Sequence, residues 1–207
     1  MNTNGNPFHA WIQLEQPRLG TEVTYATDEF FAARERLIQP EEPIFIPNKY
    51  DEHGKWMDGW ETQRRRDGGH DSAIIKLAGA GRIIGFDIDT RHFTGNYPPQ
   101  ASLDACVSDD DVPAGEWTEI IANIDLRPDA HHYLAVADDS VWTHVRLNIY
   151  PDGGVARLRL YGVVRPDFSG QDGKIDLLAL ENGGRAVACS DEHFGSMHNL
   201  NAPGRGF

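Results

Sequence analysis

The chain has 207 residues, 40% of them hydrophobic, and a formal net charge of −13; that is enough for one sandwich-sized domain with a remainder, and the acidity argues against nucleic acid, whose phosphates need a basic field. No apolar run approaches the roughly 18 residues of a membrane span, and the polar opening MNTNGNPFHAWIQLEQPRLG lacks a signal peptide's basic-then-apolar layout, so no membrane partner and a cytoplasmic location are expected. Cys106 and Cys189 have no metal-type spacing and read as free thiols in a reducing compartment.

In chain order, a short strand is expected over Val23–Thr27. A short helix follows in EFFAARERLIQP, Glu29–Pro40, ended by its proline. Another strand is expected over Trp60–Arg64. DSAIIKLAG then forms a strand that Gly79–Gly81 turns into RIIGFDIDT, where Ile84, Phe86, Ile88 and Thr90 alternate with Gly85, Asp87 and Asp89. QASLDACV, Trp117–Ile121 and Tyr133–Val136 supply further strands. HVRLNIY, the turn PDGG and VARLRLYGVV read as a hairpin, with Val145, Leu147 and Ile149 on one face and Ala156, Leu158 and Leu160 on the other arm. A second short helix is expected within 171–181. Many short strands without strand–helix alternation predict an all-β, antiparallel β-sandwich.

Two features go beyond fold class. In KWMDGWETQRRRDGGHD, residues 55–71, Arg64, Arg65 and Arg66 form a basic exception in an acidic chain, suited to a small anionic ligand. The chain also repeats itself: a shift of 163 residues places Gly20 on Gly183, Asp28 on Asp191, Glu29 on Glu192, Phe31 on Phe194, Leu37 on Leu200 and Pro40 on Pro203. The expected organisation is an N-terminal tail (1–17), a first repeat (18–168), a linker (169–182) and a truncated start of a second repeat (183–207). Asp28 and Glu29, echoed by Asp191 and Glu192, suit a structural role such as capping a helix start.

GKWMDGWETQRRR, GHD, DIDTRHFTGNYPPQAS, WTHVRLNIYPDGGVARLRLYG and NGGRAVACSDEHFG, in that order, resemble the allantoicase (allantoate amidinohydrolase) family from about Arg18 onward. The resemblance implies two jelly-roll, galactose-binding-like β-sandwich repeats per protein. It also implies hydrolysis of allantoate to ureidoglycolate and urea in purine (allantoin) degradation. On that reading this chain is the first repeat plus the opening of the second; the partners are allantoate and the second repeat, and a homo-oligomer is expected. A site that drew on both repeats would leave a single repeat inactive. Gln63 stands where the family commonly has arginine, and Ser72 where it has tryptophan, which puts substrate contacts in question more than the fold.

Allantoate carries one carboxylate on a carbon bearing two ureido groups. An arginine fork suits the carboxylate, and Arg64 and Arg66 share a face if the segment is extended. Arg146 is a third candidate. The opposing structural reading pairs these arginines with Asp58, Glu61 or Asp67. For the general acid and base, Glu61, His70, Asp71 and His92 are the candidates; His70 and Asp71 end a glycine-rich turn, and His92 follows a strand. Thr94, Asn96, Tyr97 and Gln100 offer groups for ureido recognition, or else shape the turn NYPPQ, with a cis bond at Pro98 or Pro99 in view. Trp56 and Trp60 either wall the pocket or belong to the core. No cofactor is indicated; a divalent metal stays open, but no H-x-x-x-H or H-E-x-x-H spacing appears and the side chains of His131 and His132 diverge. The rival reading is a non-catalytic galactose-binding-like module for ligand binding or oligomerisation.

Overall fold

The computed structural model describes residues 5–169 and 173–204. Among them are twelve strands: β1 Ile12–Gln13, β2 Glu22–Ala26, β3 Tyr50–Asp51, β4 Gly54–Lys55, β5 Trp60–Glu61, β6 Asp71–Asp89, β7 Gln100–Cys106, β8 Thr118–Asp125, β9 His131–Ala135, β10 Val141–Tyr150, β11 Gly154–Val155 and β12 Arg157–Val164. The expected antiparallel sandwich is present, and one strand belongs to both of its layers. The first half of β6 lies between β2 and β10, and β10 carries on to β7 and β8. The second half of β6 lies between β12 and β9, with β1 on the far edge of β12.

Alternation puts every second side chain between the layers. Ile75, Leu103, Val145, Leu147 and Ile149 come from one layer and Phe86, Ile88, Leu158 and Leu160 from the other, all fully buried in a single cluster with Trp60 and Leu37. The burial of so much apolar surface is the main term holding the two layers together.

Three sequence expectations change. The strand does not turn at Gly79–Gly81 but runs through as β6, because Gly81 pairs with Trp142 on one side and Val164 on the other; each half has outside partners, so neither pairs with the other. The expected hairpin is likewise absent. β10 and β12 flank different halves of β6, and the Pro151–Gly153 turn carries the chain from one layer to the other. Alternation alone cannot tell a hairpin arm from a strand in the opposite layer. Ile83, not Ile84, reaches the core, because a bulge opposite Tyr161 and Gly162 shifts the alternation by one residue.

Smaller differences are local. Of the helix expected over Glu29–Pro40, only Arg34–Ile38 is helical, as a 3-10 turn burying Leu37 and Ile38. The strand expected over Trp60–Arg64 stops at Glu61, because no apolar residue follows to be buried. Of 171–181, residues 171–172 lie outside the described set and the rest has only the start of a 3-10 turn, Leu180–Asn182. The cis peptide joins Tyr150 to Pro151 rather than preceding Pro98 or Pro99. The stretch expected as a tail (1–17) holds β1, with Phe8, Ile12, Leu14 and Glu15 buried.

The internal repeat has a structural counterpart. The 3-10 turn Pro17–Leu19 is closed by Gly20 at φ 100, and Leu180–Asn182 by Gly183 at φ 85, both in the left-handed region that favours glycine. Asp28 Oδ1 accepts the Phe30 N–H at 3.1 Å, and Asp191 Oδ1 the His193 N–H at 3.0 Å. Glu29 Oε1 accepts the Arg34 N–H at 2.8 Å, and Glu192 Oε1 the Met197 N–H at 2.7 Å. Arg34–Ile38 and Met197–Leu200 are both 3-10 turns. Burial differs: Leu14 and Leu37 are buried, while their counterparts Leu177 and Leu200 are 72% and 79% exposed.

Candidate active site

Glu61 ends β5 at one end of the sandwich. β11 pairs with it on one side and Ala32 bridges to it on the other. Trp60 anchors this point in the core, and its Nε1 donates to the Asp28 carbonyl at 2.8 Å. From Thr62 to His70 the chain is polar, so it leaves the sheet and runs along the mouth of a cavity of about 880 Å³. Phe30 and Phe31 form one wall. Glu61, Arg64, Arg66, Asn96 and Tyr97 supply the polar groups, and the turn of Asp152 and Gly153 closes another side.

Glu61 is 8% exposed, and Asn96 Nδ2 donates to its Oε1 at 2.6 Å. Burial raises the Glu61 carboxyl above its ordinary range; the Asn96 hydrogen bond works against this and the Asp51 charge adds to it. Arg64 and Arg66 are exposed at the cavity, and neither is in an ion pair among the described residues. Arg65 lines the cavity too, but its guanidinium is engaged by the loop's own acceptors. Its guanidinium binds Asp67 at 3.0 Å, the buried Asp71 at 2.6 Å and the His70 carbonyl at 2.6 Å, and hydrogen bonding from it is the chief reason the Asp67 carboxyl falls to about 2. Beyond Glu61 the segment is not a strand; among the described residues the Arg64 and Arg66 guanidiniums make no ion pair, and the middle one ties the loop together.

Of the candidate residues, the cavity collects Glu61, Arg64, Arg66, Asn96 and Tyr97. The others lie elsewhere. Asp71 is buried, accepting from Arg65 and from Thr27 Oγ1 at 2.7 Å. His70 packs its ring on Tyr150, centroids 4.7 Å apart. His92 donates from Nε2 to the Pro43 carbonyl at 3.1 Å and stacks on Phe45. Thr94 is exposed outside the lining. Gln100 is held by Asp125 and Asn123 across the β7–β8 pair. Arg146 pairs with its cross-strand neighbour Asp104 at 2.6 Å and covers Trp117 on the sandwich's outer face. Trp60 is core, while Trp56 lies under Lys49 and Arg36.

Sequence reasoning passed over Phe30, Phe31, Asp152 and Gly153 as cavity residues. Phe31 carried a signal, since it belongs to the repeated set. Asp152 and Gly153 were legible only as a turn. Among the described residues, no three His, Cys, Asp or Glu side chains gather as a metal-ligand set. His131 and His132 do diverge: one meets Asp87 at 2.7 Å, while the other accepts the Arg127 N–H and bonds the Ile88 carbonyl.

A jelly-roll sandwich of galactose-binding-like type, with a cation-lined cavity at the end of its layers, is the class these features define. The fold is shared with the family 32 carbohydrate-binding module of *Clostridium perfringens* NanJ, at 15% identity and TM-score 0.51 over 72% of this chain and 99% of that one. The family model described as the allantoicase repeat matches residues 12–165, and the chain belongs to the allantoicase family. It is 51% identical to a probable allantoicase of *Pseudomonas aeruginosa* (strain LESB58) over 99% of this chain and 63% of that protein. It superposes on the crystal structure of allantoicase from *Saccharomyces cerevisiae* with TM-score 0.81 at 36% identity, over 99% of this chain and 62% of the other. The chain thus spans about three fifths of the length of the relatives it matches.

Proposed function

We propose that this chain carries an allantoate site and that the whole protein uses it to hydrolyse allantoate to ureidoglycolate and urea, a step of purine (allantoin) degradation in the cytoplasm. The observation that carries the reading is the convergence in one cavity of a raised carboxyl and two guanidiniums that make no ion pair among the described residues. Arg64 and Arg66 bind the substrate carboxylate with charge-assisted hydrogen bonds. Asn96 and Tyr97 present amide and hydroxyl groups to the ureido arms, with Phe30 and Phe31 limiting water. Glu61, protonated, gives its proton to the departing urea nitrogen as the carbon–nitrogen bond pair leaves with that nitrogen. Water bonds to the same carbon through oxygen and returns a proton to Glu61, so the carboxyl is regenerated. The test is urea release from allantoate by the purified protein, alongside Glu61→Gln; no release from the full-length protein would overturn the reading.

The second repeat is the proposed partner. The matched turns over 180–204 have the conformation of the first repeat's opening, but Leu177, Phe194 and Leu200 lack the sandwich that buries Leu14 and Leu37. A second sandwich of the same type would cover them, as would a homo-oligomer. Light scattering on this chain should show self-association that a Phe194→Ser, Leu200→Ser double variant removes.

A further inference from the structure

The arginine segment leaves the sheet at Glu61 and is followed by Gly68 and Gly69, yet its backbone is held at successive points. Thr62 and Gly153 exchange hydrogen bonds at 3.1 Å, from the Thr62 N–H to the Gly153 carbonyl and from the Gly153 N–H to Thr62 Oγ1. Asp28 Oδ1 accepts the Gln63 N–H at 2.8 Å, and its Oδ2 the Gln63 side-chain amide at 3.0 Å. Asp152 Oδ2 accepts the Arg65 N–H at 2.7 Å. These two carboxylates come from loops far apart in sequence and grip alternate residues.

We propose that Asp28 and Asp152 are positioning residues: they clamp the backbone at Gln63 and Arg65, so that Arg64 and Arg66, the residues between and beyond, are presented to the cavity as a preformed anion fork. This rests on the allantoate reading above and deepens it. The physical reason is preorganisation. An arginine on a free loop must be ordered when ligand binds, and fixing its backbone beforehand removes part of that cost. The N–H groups engage the carboxylates in charge-assisted hydrogen bonds, and Asp28 also holds the Phe30 N–H at the foot of the aromatic wall. One aspartate thus sets the spacing between that wall and the arginines.

The clamp has a consequence opposite in sign to simple electrostatics. Both aspartates put negative charge near an anion site, so on charge alone their removal should tighten binding. Positioning predicts the reverse when the acceptor is lost and little change when it is kept. Calorimetry with allantoate on the purified chain separates the two. Asp152→Ala should raise Kd roughly tenfold, while Asp152→Asn, which keeps a carbonyl oxygen for the Arg65 N–H, should bind as tightly as the unaltered chain or tighter. Asp28→Ala and Asp28→Asn form the same pair at Gln63 and decide the matter if an Asp152 variant does not fold. Equal or tighter binding by the folded alanine variants would overturn the clamp. Amide exchange by NMR needs no ligand: the Arg65 N–H should be protected in the unaltered chain and in Asp152→Asn, and fast in Asp152→Ala. Failure of the unaltered chain to bind allantoate, with protection behaving as stated, would count against the substrate reading and leave the clamp standing; unchanged protection in Asp152→Ala would sink the clamp whatever the ligand.

Discussion

Asn96 Nδ2 donates to Glu61 Oε1 at 2.6 Å, the one side-chain hydrogen bond made by that carboxyl among the described residues. The contact favours the ionised form, while burial favours the neutral form and prevails. In the acid role proposed for it, Glu61 has to be protonated, so turnover should fall as pH rises through its pKa. Removing the Asn96 donor raises that pKa further, and Asn96→Ala should move the alkaline limb of the kcat profile to higher pH. Glu61→Gln should lower kcat by about 10²–10⁴-fold. Urea release against pH measures both; an alkaline limb that moves to lower pH in Asn96→Ala would remove Glu61 from the acid role.

The four arginines separate binding from stability. Arg64→Ala and Arg66→Ala should leave Tm unchanged, since neither is in an ion pair among the described residues, and each should raise KM for allantoate by about tenfold or more, as expected for losing a charge-assisted contact. Arg65→Ala should lower Tm. It leaves Asp71, which is 1% exposed, with the Thr27 hydroxyl as its remaining side-chain donor among the described residues, and should cost about 2 kcal/mol, less than a fully buried pair because Arg65 is partly open to water. Arg146→Ala should affect neither KM nor kcat, and stability by about 1 kcal/mol. Thermal melts and steady-state kinetics on the four variants check the pattern.

Gly153→Ala should damage fold and site together. Gly153 has φ 142, and an added Cβ would stand 2.6 Å from the Pro98 nitrogen and 2.8 Å from the Asn96 carbonyl oxygen. A strained backbone and a clash with main-chain atoms should cost about 3 kcal/mol. Because the turn sits between Asn96 and Thr62, the variant that does fold should also bind allantoate more weakly. Gly115→Ala, with nothing within 4 Å of the added carbon, serves as the control for denaturant melts.

What the sequence revealed followed from local rules. Period-two runs located β6, β7, β10 and β12, because burial between layers forces that alternation. They could not say which strand pairs with which, and so β10 and β12 read as a hairpin. Arg64 and Arg66 were legible as a charge exception, and Glu61 by its place beside them. His70 and His92 attracted a catalytic reading through their intrinsic pKa, a property of the residue type that carries no information on location; their rings instead pack on Tyr150 and bond Pro43. Arg146 sits between core residues of β10, and its outward direction, toward Asp104, was implicit in that alternation. Phe30 and Asp152 reach the cavity only through long-range contacts that no local spacing encodes.

Glu15 gives the fold a pH dependence distinct from that of the site. Its side chain is fully buried, Oε2 accepts the Leu160 N–H at 2.9 Å, and Arg159 lies 3.6 Å from Oε1. Burial outweighs the Arg159 charge and lifts the carboxyl from 4.5 to about 7. Between those values the folded chain holds a proton that the unfolded chain has released, so this group's contribution is fully present below about pH 4.5 and is lost as pH rises toward 7. The loss is on the order of 3 kcal/mol, and above that range it is flat. Glu15→Gln cannot titrate and should flatten this part of the stability profile while changing the pH dependence of urea release little, since residue 15 does not line the cavity. Urea denaturation at intervals from pH 4.5 to 8 would show it; the same slope in the glutamine variant as in the unaltered chain would assign the dependence to other groups.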